Sequence, residues 1–294
     1  MDIFTLYVGQ GSLAAVRASG EAIIIDSHMP NCDDVIQSQV ERSLRDYVAN
    51  NRVRGLVLTG FDRDHACPGG VESILHTYQP DWVMYPKYYK DTDCASEVFA
   101  IIAKHERRRE RTSRPLLRKS VRVDNVDSRT FRELTASFVL EVFSPHMDDM
   151  DCSNNSSLVL KITGLDSGGF SYLVTGDTES ERWGSINRYF GKYLQAEVLA
   201  APHHGARTGA NAETLLLVQP HTVLISAGVD NAYGHPYGVA VQAYSRVASQ
   251  VYSTNSAPEG VCLFTRRGPN GFETRLVRHV NREDLASAAG AGER

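Results

Sequence analysis

Apolar positions over the first 25 residues alternate with polar ones or gather in short runs. Ile3 to Val8, Leu13 to Val16 and Ala22 to Ile25 predict three strands, joined by turns at Gly9-Gln10-Gly11 and Ser19-Gly20. The period then changes. Val35, Ile36, Val40, Leu44 and Val48 recur every three or four residues and predict a helix from Asp33 to Asn50, with Asp33 or Asp34 as its cap. Leu56 to Leu58 is a short apolar run after Gly55 and predicts a buried strand; Val71 to Tyr78 predicts a helix that stops before Pro80, and Trp82 to Tyr85 another strand. This β-α-β-α-β rhythm predicts a layered α/β domain. Beyond it come a helix at Glu97 to Glu110, a break at Arg111 to Pro115, and short strands at Val121 to Val123, Phe131 and Phe138 to Phe143. The second half reads as strands at Leu158 to Leu160, Tyr172 to Thr175, Glu197 to Ala201 and Thr222 to Ile225. Helices at Glu179 to Phe190, Leu215 to Val218 and Val239 to Val247 separate or follow them. Three strands end the pattern, at Val251 to Thr254, Val261 to Phe264 and Glu273 to Val277. Residues 1–280 thus read as one domain, and 281–294, with Ala-Gly-Ala-Gly, as a flexible tail.

Polar clusters follow several of these strands, where loops held by a rigid scaffold carry chemistry. The run Leu56 to Leu58 breaks into Asp62, Asp64 and His65, two carboxylates and an imidazole within four residues. Oxygen and nitrogen donors so close together can share one metal ion, and a solvated turn with a capping Asp is the plain alternative. Gly176-Asp177 ends the strand at Tyr172; by itself it is as well explained by a helix cap. Pro202-His203-His204-Gly205 follows the strand at Glu197. Core packing explains two histidines at such a strand end poorly, and because adjacent side chains point different ways, at most one of them is expected to ligate a given ion. Cys152 to Ser157 reads as an Asn-rich turn, and Asn231-Ala232-Tyr233-Gly234-His235-Pro236 as a polar loop carrying a histidine.

Thr59-Gly60-Phe61-Asp62-Arg63-Asp64-His65, with Gly69-Gly70 after it, resembles the His-x-His-x-Asp-His loop of the metallo-β-lactamase fold. Val8-Gly9-Gln10-Gly11, Ile23-Ile24-Ile25-Asp26, the Asn-rich turn and Asn231-x-Tyr233-Gly234-His235-Pro236 are similar to the nuclease domain of ComEC-type DNA-uptake proteins. The motifs keep the family's order over roughly residues 2 to 280. The resemblance implies an αββα four-layer sandwich with metal loops at one edge. It implies that Asp64, His65, Asp177 and His204 hold one divalent ion, with His203 beside it or facing substrate. Asp26 is expected to buttress the metal loop, and Asn155 and Ser156 to line the site where relatives place a histidine. The other metal position departs from the pattern: Gly60 stands for its first histidine and Asp62 for its second. Asp62 therefore counts as a weaker ligand and favours harder ions. Zinc or manganese is expected, with magnesium allowed, as one tightly held ion and a second weak or recruited by substrate phosphate. For hydrolysis, Asp64 or Asp62 would accept the proton of the attacking water, and His235 would stabilise the developing charge or protonate the leaving oxygen.

Charge changes this picture in one place. The net charge is −4, yet Lys104 to Arg122 holds nine Lys or Arg and two Glu, a net of +7, so the other residues sum to −11. A basic insertion at about 104–122, with Arg107, Arg108, Arg109, Arg111, Arg118 and Lys119, is expected to hold a nucleic-acid backbone; a solvated helix and loop is the simpler reading. The five scattered cysteines form no Cys-x-x-Cys pair and point to a reducing cytoplasm. No signal peptide and no run of about eighteen apolar residues is evident, so no membrane span is expected. The leading expectation is a soluble metal-dependent phosphodiesterase, a nuclease on DNA, which a regulatory protein partner would switch on in defence or toxicity. A small-molecule ester or nucleotide hydrolase, and a partner-binding protein with a degenerate site, are the alternatives.

Overall fold

The computed structural model describes residues 1–29, 34–126, 129–145, 152–209 and 211–278. Asp33, offered above as a cap, and the tail 281–294 lie outside them. The first half of the chain builds one sheet from β1 (Asp2–Thr5), β2 (Ala14–Ala18), β3 (Glu21–Ile25), β4 (Arg52–Val57), β5 (Trp82–Pro86) and β6 (Leu117–Val121). The second half builds another from β7 (Phe138–Ser144), β8 (Val159–Gly164), β9 (Ser171–Val174), β10 (Val198–Ala200), β11 (Thr222–Ile225) and β12 (Gln250–Ser253). The chain then returns to the first sheet through β13 (Cys262–Gly268) and β14 (Gly271–Val277). The strand orders are β14-β13-β1-β2-β3-β4-β5-β6 and β12-β11-β10-β9-β8-β7. Strands β3 to β6 run parallel, as do β9 to β12.

Alternation along each strand sorts side chains to two faces, and here both faces are covered. Ala22 and Ile24 pack outward with Leu44 and Val48 of α1 (Asp34–Val48), Ile74 and Leu75 of α2 (Pro68–Thr77), and Val98 and Ile102 of α3 (Asp93–Arg109). Ile23 and Ile25, their neighbours in β3, face the second sheet and join Leu140, Leu160, Ile162 and Tyr172. The far face of that sheet, with Leu173, Leu199 and Val223, is covered by Trp183 and Ile186 of α5 (Ser180–Phe190), Leu215 of α6 (Ala212–Val218) and Tyr244 of α7 (Gly238–Val247). Three apolar seams between four layers give the αββα sandwich of the metallo-β-lactamase fold. A short helix, α4 (Arg129–Arg132), precedes β7.

Three readings of the pattern need correction. Phe131, read as strand, lies in α4. The strand read at Val121 to Val123 ends rather than begins at Val121. It was hidden because β6 is the outer strand of its sheet, where Arg118 and Lys119 are tolerated as edge charges. Helix α3 starts at Asp93, four residues earlier than Glu97, because the Thr92 hydroxyl accepts the Ala95 N–H at 3.2 Å and caps it.

The basic segment is therefore built into the sandwich as the end of α3, a turn and β6. Since β5 and β6 are parallel, the end of α3 and the turn to Leu117 lie at the edge where those strands begin. Arg114 and Arg52 there pair with Asp81, at 3.0 Å each. Arg109 is a structural residue: its side chain is buried, and it donates to the carbonyls of Arg114 at 2.8 Å and Pro80 at 2.7 Å. No helix among the described residues is long and apolar enough to cross a membrane.

One contact sets how α2 sits beneath the loop that follows β4. A Cβ on Gly70 would meet the Ser27 carbonyl oxygen at 1.8 Å, so only glycine lets the first turn of α2 lie against the backbone after β3. Gly70→Ala is expected to destabilise the protein by about 3 kcal/mol, read from denaturant melts, because backbone on both sides cannot give way.

Candidate metal centre

The parallel strands of both sheets end at the same edge, and their exit loops meet there, as ligand sites of α/β sheets do. From the first sheet come Asp26 after β3 and Thr59 to His65 after β4. From the second come Asp177 after β9, His203 and His204 after β10, and Ser226 after β11. Asp64, His65, Asp177 and His204 each offer one ligand atom, all within 4.8 Å of one another. His65, Asp177 and His204 are buried, and Asp64 stands at the mouth with about a third of its side chain exposed.

Each imidazole is held by its far nitrogen. His65 Nδ1 lies 2.9 Å from Asp26 Oδ2, and Asp26 Oδ1 accepts the Thr59 N–H and hydroxyl, both at 2.8 Å. His204 Nδ1 donates to the Ser226 carbonyl at 2.7 Å. Both Nε2 atoms therefore turn a lone pair toward the cluster, the arrangement that orients metal-bound histidines. Ser157 Oγ accepts the Asp177 N–H at 3.0 Å and fixes the Gly176-Asp177 turn. His203 and His204 both adopt left-handed backbone, at φ +49° and +55°. Bulky residues rarely adopt it, and such strain is characteristic of functional sites.

The donors fit a small divalent cation. His65 Nε2, Asp177 Oδ1 and His204 Nε2 are buried without a hydrogen-bond partner among the described residues. His65 Nε2 lies 2.9 Å from Asp177 Oδ1, and His204 Nε2 lies 3.4 Å from Asp64 Oδ2 and 3.6 Å from Asp177 Oδ1, none aligned as a hydrogen bond. Ligands about 2.0–2.2 Å from a tetrahedral ion stand about 3.3–3.6 Å apart. These groups converge on a common point rather than on one another.

Electrostatics agree. Burial disfavours the charged form of His65, but Asp177, Asp26 and Asp64 outweigh it and raise the His65 pKa well above its usual value. His204 is raised likewise, against burial, by Asp177 and Asp64. Burial pushes the Asp177 carboxyl up, yet His65 and His204 hold it far below the usual carboxylate range; Asp64 is lowered in the same way. The carboxylates that favour a proton on these rings would equally favour a cation among them.

Other expected residues fall elsewhere. Asp62 lines the cleft but stands outside the donor set, because its carbonyl accepts the His65 and Ala66 amides at 2.9 and 2.8 Å and opens the turn that aims Asp64 and His65 instead. His203 is also outside the set: Nδ1 is held by Glu179 Oε1 at 3.1 Å, and Nε2 stands 3.7 Å from Asp177 Oδ2. Asn155 and Ser156 do not line the cleft. Asn155 Oδ1 accepts the Glu179 N–H at 3.3 Å and Ser156 Oγ donates to the Ser153 carbonyl at 2.8 Å, so the turn they form leaves Asn154 facing the opening. Gln10, His28, Arg63 and Tyr233 complete a cleft of about 590 Å³ with His235. His28 had no motif to mark it; Gln10 and Tyr233 lay inside motifs quoted above without a role. His28 Nδ1 meets the Arg63 carbonyl at 3.1 Å. Arg107, Arg108 and Arg111 are exposed at the opposite edge of the sheet, and Arg118 pairs with Glu106. Those arginines form no wall of this cleft.

No family model matches the chain. It is 28% identical over 200 residues to ComE operon protein 3 of Bacillus subtilis, covering 68% of this chain and 23% of that protein. It is 25% identical over 277 residues to Recombination protein 2 of Haemophilus influenzae, covering 94% and 29%. In sequence the chain is similar to both proteins. It spans about a quarter of the length of these two curated relatives. Among solved structures, a metallo hydrolase from the archaeon Ignicoccus hospitalis aligns over 90% of this chain and 98% of its own, at 15% identity and a TM-score of 0.49. The buried His/Asp donor set supports a site for a divalent metal ion.

Two outcomes test the centre. Zn²⁺ or Mn²⁺ added to chelator-stripped protein at about a hundredfold excess over its Kd should stabilise it by about 2.7 kcal/mol, and Asp177→Asn or His204→Ala should abolish the shift. Raised histidine pKa values mean that protons compete with the cation, so affinity measured by calorimetry should rise from pH 6 to pH 8, by about tenfold per pH unit for each proton released. A second experiment concerns Gly60, whose backbone is not left-handed and where a Cβ would have only Ser157 Oγ at 4.0 Å. Gly60→His should fold and bind a second divalent ion; a titration that still saturates at the wild-type stoichiometry would show that this position no longer serves metal.

Proposed function

We propose that the chain is a metal-dependent phosphodiesterase acting on nucleic acid, with DNA as the leading substrate. The observation that carries this reading is the convergence of three buried ligand atoms without a hydrogen-bond partner among the described residues, His65 Nε2, Asp177 Oδ1 and His204 Nε2, with Asp177 and His204 lining an open cleft. Asp64, His65, Asp177 and His204 would hold a cation there, which would supply activation of water and polarisation of a phosphoryl oxygen. Two carboxylates among the donors, with Asp62 nearby, suit manganese or magnesium as well as zinc.

The cleft supplies the rest of what a phosphodiester needs. Asp64, partly exposed at the mouth, and Asp62 on the same wall are placed to take a proton from water above the floor. His235 has its pKa lowered by burial and by His203 and His204. Its ring can donate an N–H to a phosphoryl or leaving oxygen. Asn231 fixes the backbone of His235: its Oδ1 accepts the His235 backbone N–H at 2.9 Å and its Nδ2 donates to the His235 carbonyl at 2.6 Å. Arg63 places a cation on the wall. Tyr233, 65% exposed, stacks on the His235 ring at 5.8 Å and 23°, leaving an aromatic surface for a planar group such as a base. The relative named for recombination favours nucleic acid over a small ester.

A panel of single- and double-stranded DNA, RNA and cyclic nucleotides with Mn²⁺, Mg²⁺ and Zn²⁺ tests the reading. Cleavage of at least one polymer is expected, lost by a factor of a thousand or more in Asp177→Asn, and reduced by about a hundredfold in His235→Ala. Turnover of cyclic nucleotides or carboxylic esters alone would move the assignment to a small-molecule hydrolase.

A further inference from the structure

Behind the loop that carries Asp62 lies a second pocket. It measures about 440 Å³ and is lined by Tyr85, Lys87, Tyr89, Asp91, Phe99 and Arg118, with Ser96. It sits where β5 gives way to α3, at the same edge of the sheet as the donors. Phe61 packs against the aromatic lining: its ring lies 4.8 Å from Tyr89, 4.9 Å from Phe99 and 5.9 Å from Tyr85, and the next residue, Asp62, lines the metal cleft. The start of α3 is tied to that loop, with Cys94 Sγ donating to the Ala66 carbonyl at 3.4 Å. The loop and the pocket therefore share one aromatic cluster.

We propose that this pocket is a subsite for one unpaired nucleotide of a strand whose neighbouring phosphodiester lies at the donors. The proposal rests on the phosphodiesterase reading above. Aromatic rings beside cations are what a protein uses to hold single-stranded nucleic acid without reading sequence. Tyr89 and Phe99 are half-buried and already ordered against Phe61, so a base stacking on them pays little ordering cost. Lys87 is exposed, and its ammonium is free to meet a phosphate, while its backbone is fixed by the Val121 carbonyl at 2.7 Å. Arg118 is anchored by Glu106 and presents a guanidinium edge from β6. It is the arginine of the basic segment that lines this pocket. The volume is at the small end of ligand pockets and takes one nucleotide rather than a duplex.

The test reads binding without turnover. A fluorescent single-stranded oligonucleotide is titrated into chelator-treated protein, with anisotropy as the readout. Tyr89→Ala and Lys87→Glu should each weaken binding by about tenfold, and Tyr89→Phe should retain it. Arg107→Glu with Arg108→Glu, at the opposite edge, should leave it unchanged. Equal affinity across all variants, an equal loss in the Arg107/Arg108 control, or no binding by the wild type would overturn the subsite. Lys87 is exposed, so its variant keeps the test valid should Tyr89→Ala disturb folding. Hydrolysis of bis(p-nitrophenyl) phosphate by the wild type with Mn²⁺ tests the phosphodiesterase reading separately, since that substrate is too small to need the pocket.

Discussion

The buried carboxylate of Asp26 is the tie on which the metal centre depends. It leaves β3 in a left-handed conformation and accepts from the Thr59 amide and hydroxyl while holding His65 Nδ1. That one side chain fixes the start of the loop, its end and the ring orientation of its histidine. A carboxylate with 2% of its side chain exposed would be costly alone; here its oxygens are engaged by the Thr59 amide and hydroxyl and by His65 Nδ1. Removing it would leave His65 free to rotate its Nε2 away from Asp177, and the other donors would face an incomplete set.

The second sheet answers with a different device. His204 is turned inward by two successive left-handed residues and secured by the Ser226 carbonyl from the neighbouring strand. His203, turned the other way by the same backbone, becomes part of the cleft wall through Glu179. The adjacent pair thus divides its labour by backbone geometry, one ring to the floor and one to the side.

Much of this was legible in the sequence, and what was not has physical causes. A layered α/β domain followed from the β-α-β-α-β rhythm, and runs such as Ile23-Ile24-Ile25 fit strands buried on both faces, whereas the αββα order of the layers came from the resemblance. The donor set was legible because Asp64, His65, Asp177 and His204 each follow a predicted strand and carry a family's motif. Side-chain direction within a turn was not: Asn154 and Asn155 are alike in composition, and only the single helical turn they make decides which one faces the cleft. Nor could sequence separate Arg109, which caps carbonyls inside the fold, from Arg108, which is exposed. Counting charge along the chain placed nine cations together; the parallel course of β5 and β6 sends most of them to the edge away from the chemistry. His28 gave no signal, since a lone histidine after a strand has no spacing to betray it.

The division of donors between the sheets has a mechanical corollary. Asp64 and His65 ride on one sheet, Asp177 and His204 on the other, so the site behaves as the bite of two jaws whose hinge is the apolar seam between them. Its opening is set by side chains such as Leu140, Leu160 and Trp82, well removed from any reacting atom. Because close-packed interiors transmit a change of even a methylene, and misplacement by an ångström is enough to cost catalysis dearly, the span of the jaws is tuned by residues that no inspection of the cleft would single out. Variation in that seam is a route by which one scaffold can be regauged for ions of different radius while every ligand stays in place.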